Sequence, residues 1–420
     1  MPTPQQVQTD RPVDLTLFGA TGFVGRLVAE HLAAHAPEGV RVALAGRSAE
    51  RLRAVREDLG ERAATWSLVV VDASDEAGLA EMARRSHVVV STVGPYQRHG
   101  LPLVAACAEA GTDYADLTGE VLFVRDAIDR SHERARVSGA RIVVSCGFDS
   151  VPSDLAVHLL HGAARAHGAG GLTDTTLWVR RLRGGISGGT IDSLRVQLAR
   201  LREEPSLRRV VTDPEALSGG APGAPGQREV WGSFVEQDSG EWAAPFFMSP
   251  YNTRVVRRSD ALLDRAYGPR FRYRELVPCG RGALGALVSR GVVLGAGALV
   301  AAMAVPGLGP VLDRVLPAPG EGPSPAEREA GSFRTETVTT TEDGSRYAAT
   351  VAASGDPGYA ATSVMLGEAA LTLLATRQPE GARRGGVLTP AVALGDNLVE
   401  ALRARGFTLE VRRLSPGARR

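Results

Sequence analysis

No lysine occurs among the 420 residues, so every one of the 48 side chains in the Lys and Arg count is an arginine. That excludes a Schiff-base amine, the lysine of a P-loop and the Tyr-xxx-Lys base pair of ordinary short-chain dehydrogenases. Histidine also stops early: all 8 lie between His31 and His167, and none form HExxH. Cysteine is scarce, and Cys107, Cys146 and Cys279 make neither a CxxC pair nor a metal-ligand spacing. An odd, unpatterned set of thiols points to a reducing, cytoplasmic setting, and no metal site is expected. Charge of either sign is not in excess: 48 basic against 47 acidic residues leave a net +1. No global field favours nucleic acid, so none is expected as a partner. Residues 1–11 are polar and Pro/Gln-rich without an apolar run, which reads as a disordered tail and not a signal peptide.

What the chain has in abundance is turn residues, 49 Gly and 25 Pro, spread without a period. From residue 12 to about 150, short apolar β-rich runs alternate with amphipathic stretches. The runs are Asp14–Phe18, Val40–Ala45, Leu68–Asp72, Val88–Thr92 and Ile142–Cys146; the helices between them include Phe23–His35, Glu50–Leu59, Asp75–Arg85 and Leu101–Ala110. Apolar strands separated by helices predict an α/β fold, an N-terminal Rossmann-type, doubly wound parallel sheet covered on both faces. A second, mixed α/β domain is expected over 151–385. It includes a strand at Thr175–Leu182, a Pro214–Gly226 surface loop and a hairpin of Arg334–Thr341 with Tyr347–Ser354. Residues 386–420 are expected to hold a C-terminal helix.

Gly19-Ala20-Thr21-Gly22-Phe23-Val24-Gly25 follows the first strand and opens a helix. Gly19 permits the turn, Gly22 lets backbone approach a pyrophosphate, and Gly25 allows close helix–strand packing. The helix end supplies free N–H groups and a positive dipole. Dinucleotide sites specific for NAD place an acid ~20 residues past the glycines. Here the second strand runs into Ala45-Gly46-Arg47-Ser48, so a guanidinium stands where a 2′-phosphate would sit and NADP(H) is the expected cofactor. Asp72 ends the third strand, where it would meet adenine or a helix N-terminus. Val93-Gly94-Pro95 follows the fourth strand at the nicotinamide side of the crevice.

These segments resemble the saccharopine dehydrogenase-like NADP-binding family, and within it the trans-acting enoyl reductases. The likeness extends through Tyr114–Glu120 and Cys146–Asp154, is dense from Val13 to Leu160, and returns weakly at Gly188–Thr190 and Gly386–Ala391. The resemblance implies NADPH-dependent reduction of an enoyl lipid intermediate, on a small-molecule or carrier-bound acyl substrate, in service of a polyketide synthase partner. Such a reduction needs a proton donor beside the hydride acceptor. Tyr96 is the first candidate, His99 the second, and Asp149 a third. A non-catalytic NADP-binding scaffold is one alternative. A saccharopine-type amino-acid dehydrogenase is another; it would need an anion clamp such as Arg180, Arg181 or Arg183.

Gly185-Ile186-Ser187-Gly188-Gly189 matches GxSxG, but no histidine follows Ser187 to complete a hydrolase triad in chain order, so it reads as a glycine loop. Gly291 to Leu312 carries no charge, enough for a membrane span by length, although Pro306 and Pro310 interrupt it. Three readings stand: a segment dipping into a membrane, making the protein membrane-peripheral; a cap over a lipidic substrate; or a buried or homodimer-facing helix.

Overall fold

The computed structural model describes residues 11–185, 187–220, 223–227, 229–237, 239–305, 312, 322–377 and 384–415. The first stretch runs β1 (Val13–Phe18), α1 (Phe23–His35), β2 (Val42–Gly46), α2 (Ala49–Asp58), β3 (Ser67–Val70), α3 (Glu76–Arg85) and β4 (Ser86–Ser91). Then come α4 (Tyr96–Ala110), β5 (Asp113–Asp116), α5 (Val121–Ser138), β6 (Arg141–Val143) and α6 (Val151–Ala166). The second stretch holds β7 (Leu172–Arg183), α7 (Gly188–Glu203), α8 (Arg208–Thr212), β8 (Phe234–Val235), β9 (Trp242–Pro245), α9 (Ser249–Leu262), β10 (Arg272–Pro278) and α10 (Gly282–Ala304). Four strands remain: β11 (Ser332–Thr341), β12 (Arg346–Ser354), β13 (Gly386–Leu388) and β14 (Thr408–Leu414).

Two sheets result. The first is parallel throughout, in the order β13-β6-β5-β4-β1-β2-β3, a doubly wound sheet with the strand order reversing at β1. Its central strands are apolar because both faces are covered: Leu15, Leu17, Leu44, Val88, Val89 and Val90 are fully buried. The second sheet is mixed, in the order β14-β12-β11-β7-β10-β9-β8, with β7 and β10 parallel and the other pairs antiparallel. The α/β architecture is therefore the expected one.

The chain crosses between the sheets more often than its sequence suggests. Residues 386–415 hold a strand, the helices Pro390–Ala393 and Gly395–Ala404, and a second strand, where a single helix was expected. β13 pairs with β6 in the first sheet, while β14 closes the edge of the second. The helix Thr362–Ala375 packs on α1, β4 and β5 despite lying inside the predicted second domain. It is apolar on nearly all sides, so it needs burial on more than one face. Its one buried acid, Glu368, accepts from Arg405 Nε at 2.7 Å and bonds His31 Nε2 of α1 at 2.8 Å. Burial pushes that carboxyl up, but the His31 and Arg405 bonds outweigh it and hold it below the usual range.

Two other expectations change. The expected disordered tail of residues 1–11 does not extend to Arg11, whose guanidinium is tied to the Ser86 and Ala110 carbonyls; residues 1–10 lie outside the described residues. The described part of Pro214–Gly226 is pinned, because the buried Arg257 and Arg258 of α9 donate to the carbonyls of Pro214 and Leu217. Removing the shared acid in Glu368→Ala strands the buried His31 ring and frees the exposed Arg405, and should cost about 2 kcal/mol in a denaturant titration. Glu368→Gln, which keeps an acceptor, should cost less; equal losses would contradict the ion-pair account.

Candidate active site

The carboxyl edge of the parallel sheet sets the loops in one row. From β2 towards β6 the strand ends carry Arg47, the Gly19–Gly25 turn, Gly94-Pro95, Gly119 and Asp149 in that order. Adjacent strands lie ~4.8 Å apart, which makes the row roughly 19 Å long from β2 to β6. It crosses the point where the strand order reverses, the usual crevice for a dinucleotide in such sheets.

At the turn, Gly19 has φ +91°, and a Cβ there would stand 2.6 Å from Thr92 Oγ1. A Cβ on Gly25 would run into the Gly19 carbonyl, so α1 packs this close to β1 only without one. Ala20 is buried under the turn, and Thr21 and Val24 are half-buried beside it. Gly22 is exposed and forms the N-cap of α1 with no side-chain hydrogen bond. The first N–H groups of α1 and the positive end of its dipole thus face the edge without a cap of their own. The Phe23 ring meets Tyr359 edge-on, with centroids 4.9 Å apart, and the Arg328 guanidinium lies 5.5 Å above it.

Arg47 extends from the end of β2 with its side chain 81% exposed and its Nε 4.0 Å from Asp72 Oδ2. Asp72 accepts the Ser74 N–H at 2.9 Å and the Ser74 hydroxyl at 2.7 Å. Those bonds hold its carboxyl below the ordinary range, with Arg47 and His99 adding to the effect. Ser48 caps α2 by accepting from Arg51 N at 3.3 Å. Val93 is half-buried and Gly94 exposed, and the Gly94–Pro95 peptide is cis.

The three candidate proton donors have different surroundings. The buried Tyr96 hydroxyl donates to the Ser91 carbonyl at 2.9 Å and accepts from Leu117 N at 3.4 Å, tying the ends of β4 and β5 together. Burial, with Asp116 nearby, pushes its phenol well above its ordinary range. His99 is half-buried on α4 and within electrostatic reach of Asp72, on the Arg47 side of the row. Asp149 is half-buried beyond β6 and makes no hydrogen bond or ion pair with the described residues. A Cβ on Gly119 would lie 3.6 Å from its Oδ2 and 3.4 Å from Met248 Cε, so these three form one wall. Burial raises the Asp149 carboxyl to about 6.

Neighbouring acids are fully occupied. Glu120 accepts the N–H groups of Tyr96 and Gln97 at 2.8 Å each and the Ser193 hydroxyl of α7 at 2.6 Å, capping α4. Asp116 accepts from Ser145 N, Tyr114 Oη and Thr118 N at 2.9, 3.0 and 3.1 Å. Ser145 sits at φ +66°, and its hydroxyl bonds that of Tyr251. Tyr251, Met248 and Thr362, which receives the Phe148 N–H at 2.9 Å, complete the crevice and were not anticipated from sequence. The only signal for the first two was Ser249-Pro250, a helix start. Ser187 caps α7 through Thr190 N at 3.1 Å, which accounts for its GxSxG-like setting; Ile186 lies outside the described residues. Arg180 is held by Glu336 at 3.0 Å on the second sheet, away from the row.

The family model of the saccharopine dehydrogenase NADP binding domain matches residues 15–143. A trans-acting enoyl reductase of Mycobacterium ulcerans is 45% identical, covering 96% of this chain and 99% of that protein. Another from Mycobacterium bovis BCG is 44% identical, covering 97% and 99%. A Mycobacterium tuberculosis protein provisionally given the same name is 51% identical, covering 97% and 99%. Among solved structures, apo saccharopine dehydrogenase (L-Glu forming) from Saccharomyces cerevisiae aligns with a TM-score of 0.53 at 14% identity. That alignment covers 96% of this chain and 100% of the yeast chain, and it shows a shared fold.

The residues present fit NADP(H). The open helix end of α1 suits the pyrophosphate, and Arg47 is exposed where it can turn from Asp72 to a 2′-phosphate. Arg47→Ala should weaken NADPH binding ten-fold or more in a fluorescence titration and leave NADH nearly unchanged. Equal losses for both nucleotides would refute the assignment.

Proposed function

Because the chain belongs to the trans-acting enoyl reductases and carries their saccharopine dehydrogenase-type NADP-binding domain, we propose that it reduces the C=C bond of an unsaturated acyl thioester. The acyl chain is a polyketide or related lipid intermediate carried by a separate synthase, a reading supported by the trans-acting names of its relatives. The observation that carries the reaction is the row on the sheet edge. An open helix end and an arginine stand at one end of it, and a carboxyl without a hydrogen-bond partner among the described residues stands at the other.

Reduction requires a hydride at Cβ, a proton at Cα and a stabilised enolate oxygen. Bound NADPH supplies the hydride. The chain's own part begins with orientation: the α1 N–H groups and Arg47 hold the phosphates, and Gly94 presents no side chain at the edge. Tyr96 and Glu120 act as positioning residues, fixing the ends of β4, β5 and α4 around that space. Asp149 holds the proton. Burial raises its carboxyl to about 6 and that of Asp116 to about 7, but Asp116 is engaged by three donors, whereas Asp149 accepts no hydrogen bond from the described residues and is free to give up its proton.

NADPH oxidation with crotonyl-pantetheine as probe tests this directly. With the proton on a group of pKa about 6, kcat/KM should be flat below that pH and fall about ten-fold per unit above it. Asp149→Asn should lower kcat/KM by roughly 10²-fold or more and abolish the bend. An unchanged bend in that variant removes Asp149 from the chemistry. Tight NADPH binding without turnover on any enoyl thioester would favour a non-catalytic scaffold.

A further inference from the structure

The helix α10 leaves the body almost bare. It has 23 residues, a mean hydropathy of 1.8 in its most apolar window, and only 11% of that window buried. Leu284 (72%), Leu287 (69%) and Leu294 (71%) are among the most exposed large apolar side chains, with Val288, Val292 and Val300 also exposed. At 100° per residue these positions spread over most of the circumference. Among the helix's described residues only Gly285, Ser289 and Met303 are buried. The reading of this stretch as a helix buried within its own chain therefore fails for its described part; residues 306–311 lie outside the described residues.

We propose that α10 is a docking element for a phospholipid bilayer, inserted into the acyl layer without crossing it. A second protein covers one side of a helix, whereas here apolar side chains face outward around most of it, the pattern of a helix surrounded by hydrocarbon. Its single charge is folded back: the Arg290 guanidinium lies 5.4 Å over the Trp242 ring. Arg281, just before the helix, donates to the Ser239 carbonyl at 2.9 Å. Two arginines and a tryptophan thus gather at the root, the composition of a headgroup-level anchor, and the stretch beyond is uncharged. Gly291 to Ala304 rises about 21 Å, past one leaflet of ~15 Å but short of a ~30 Å hydrocarbon core. The chain also comes back to the body, since Gly322 lies against the Phe23 ring at the start of α1.

The placement bears on the site. α10 packs against α7, and α7 reaches the sheet edge through the Ser193–Glu120 hydrogen bond. A bilayer on α10 therefore lies beside the crevice, where a membrane-held acyl chain would enter. This docking is independent of the reaction proposed above, because lipid contact and turnover are read separately.

The experiment is flotation of the full chain on vesicles of phosphatidylcholine and phosphatidylglycerol, beside the exposed-site variant Leu284→Glu/Leu287→Glu/Leu294→Glu. Wild type should float, and the triple variant should lose at least ten-fold of the floated fraction while keeping its NADP⁺-induced rise in Tm. Leu294→Glu alone, beyond the root, should lose at least three-fold, which guards against misfolding of the triple variant. Wild type remaining at the bottom of the gradient overturns the proposal, as does a triple variant that floats like wild type. A wild-type dimer that the triple variant dissociates, with flotation unaltered, would assign the helix to a second copy of the chain and also overturn it.

Discussion

The close approach of α1 to β1 governs the rest of the molecule. A side chain at Gly25 would collide with the Gly19 carbonyl, so the helix can begin directly behind the strand only with hydrogen at that position. That proximity brings the uncapped N-terminus of α1 to the strand edge instead of leaving it in the helix layer. Everything placed along the row, from Arg47 to Asp149, is placed relative to that helix end. The same edge is kept stiff by hydrogen bonds that have no direct part in chemistry: Tyr96 to Ser91, Glu120 to the start of α4, and Asp116 to Ser145.

The second constraint is the interleaving of the two sheets. α6 leaves the first sheet and packs on β11 and β12 of the second. Thr362–Ala375 then returns from the second sheet to cover the first, and β13 joins it beside β6. Asp154 of α6 accepts from Ser259 Oγ and from Ala391 N at 2.5 and 2.8 Å, joining α6, α9 and the C-terminal part at one buried carboxylate. The crevice is therefore walled by segments far apart in sequence, and Thr362 reaches Phe148 across that distance.

Much of the first sheet was legible because its strands are buried on both faces and so read as continuous apolar runs between amphipathic helices. The glycine turn and Arg47 were legible for a related reason: both depend on local backbone geometry or on the end of a recognisable strand. β5 escaped notice because Asp113-Tyr114-Ala115-Asp116 is polar in sequence, yet every residue is buried, with Asp113 paired to Arg141 and Asp116 satisfied by three donors. α9 escaped for the opposite reason to its appearance. Arg254, Arg257 and Arg258 suggest a solvated helix, but they are buried and spend their donors on carbonyls of the 211–217 segment. β13 is three residues long and its partner lies far back in the chain, so no local pattern marks it. Tyr96 illustrates the limit for site residues: its place at the edge could be read, but the Ser91 carbonyl that accepts its hydrogen bond could not.

The site is built for a phosphorylated dinucleotide lying along the edge between α1 and Arg47 with its reactive end towards Asp149. A crystal structure of the intact chain with NADP⁺ tests it most directly. Density is expected for the pyrophosphate at the first turn of α1, the 2′-phosphate against the Arg47 guanidinium, and the nicotinamide on the Asp149 side of Gly94. Density elsewhere, or a nicotinamide ring on the Arg47 side of the glycine turn, would contradict it.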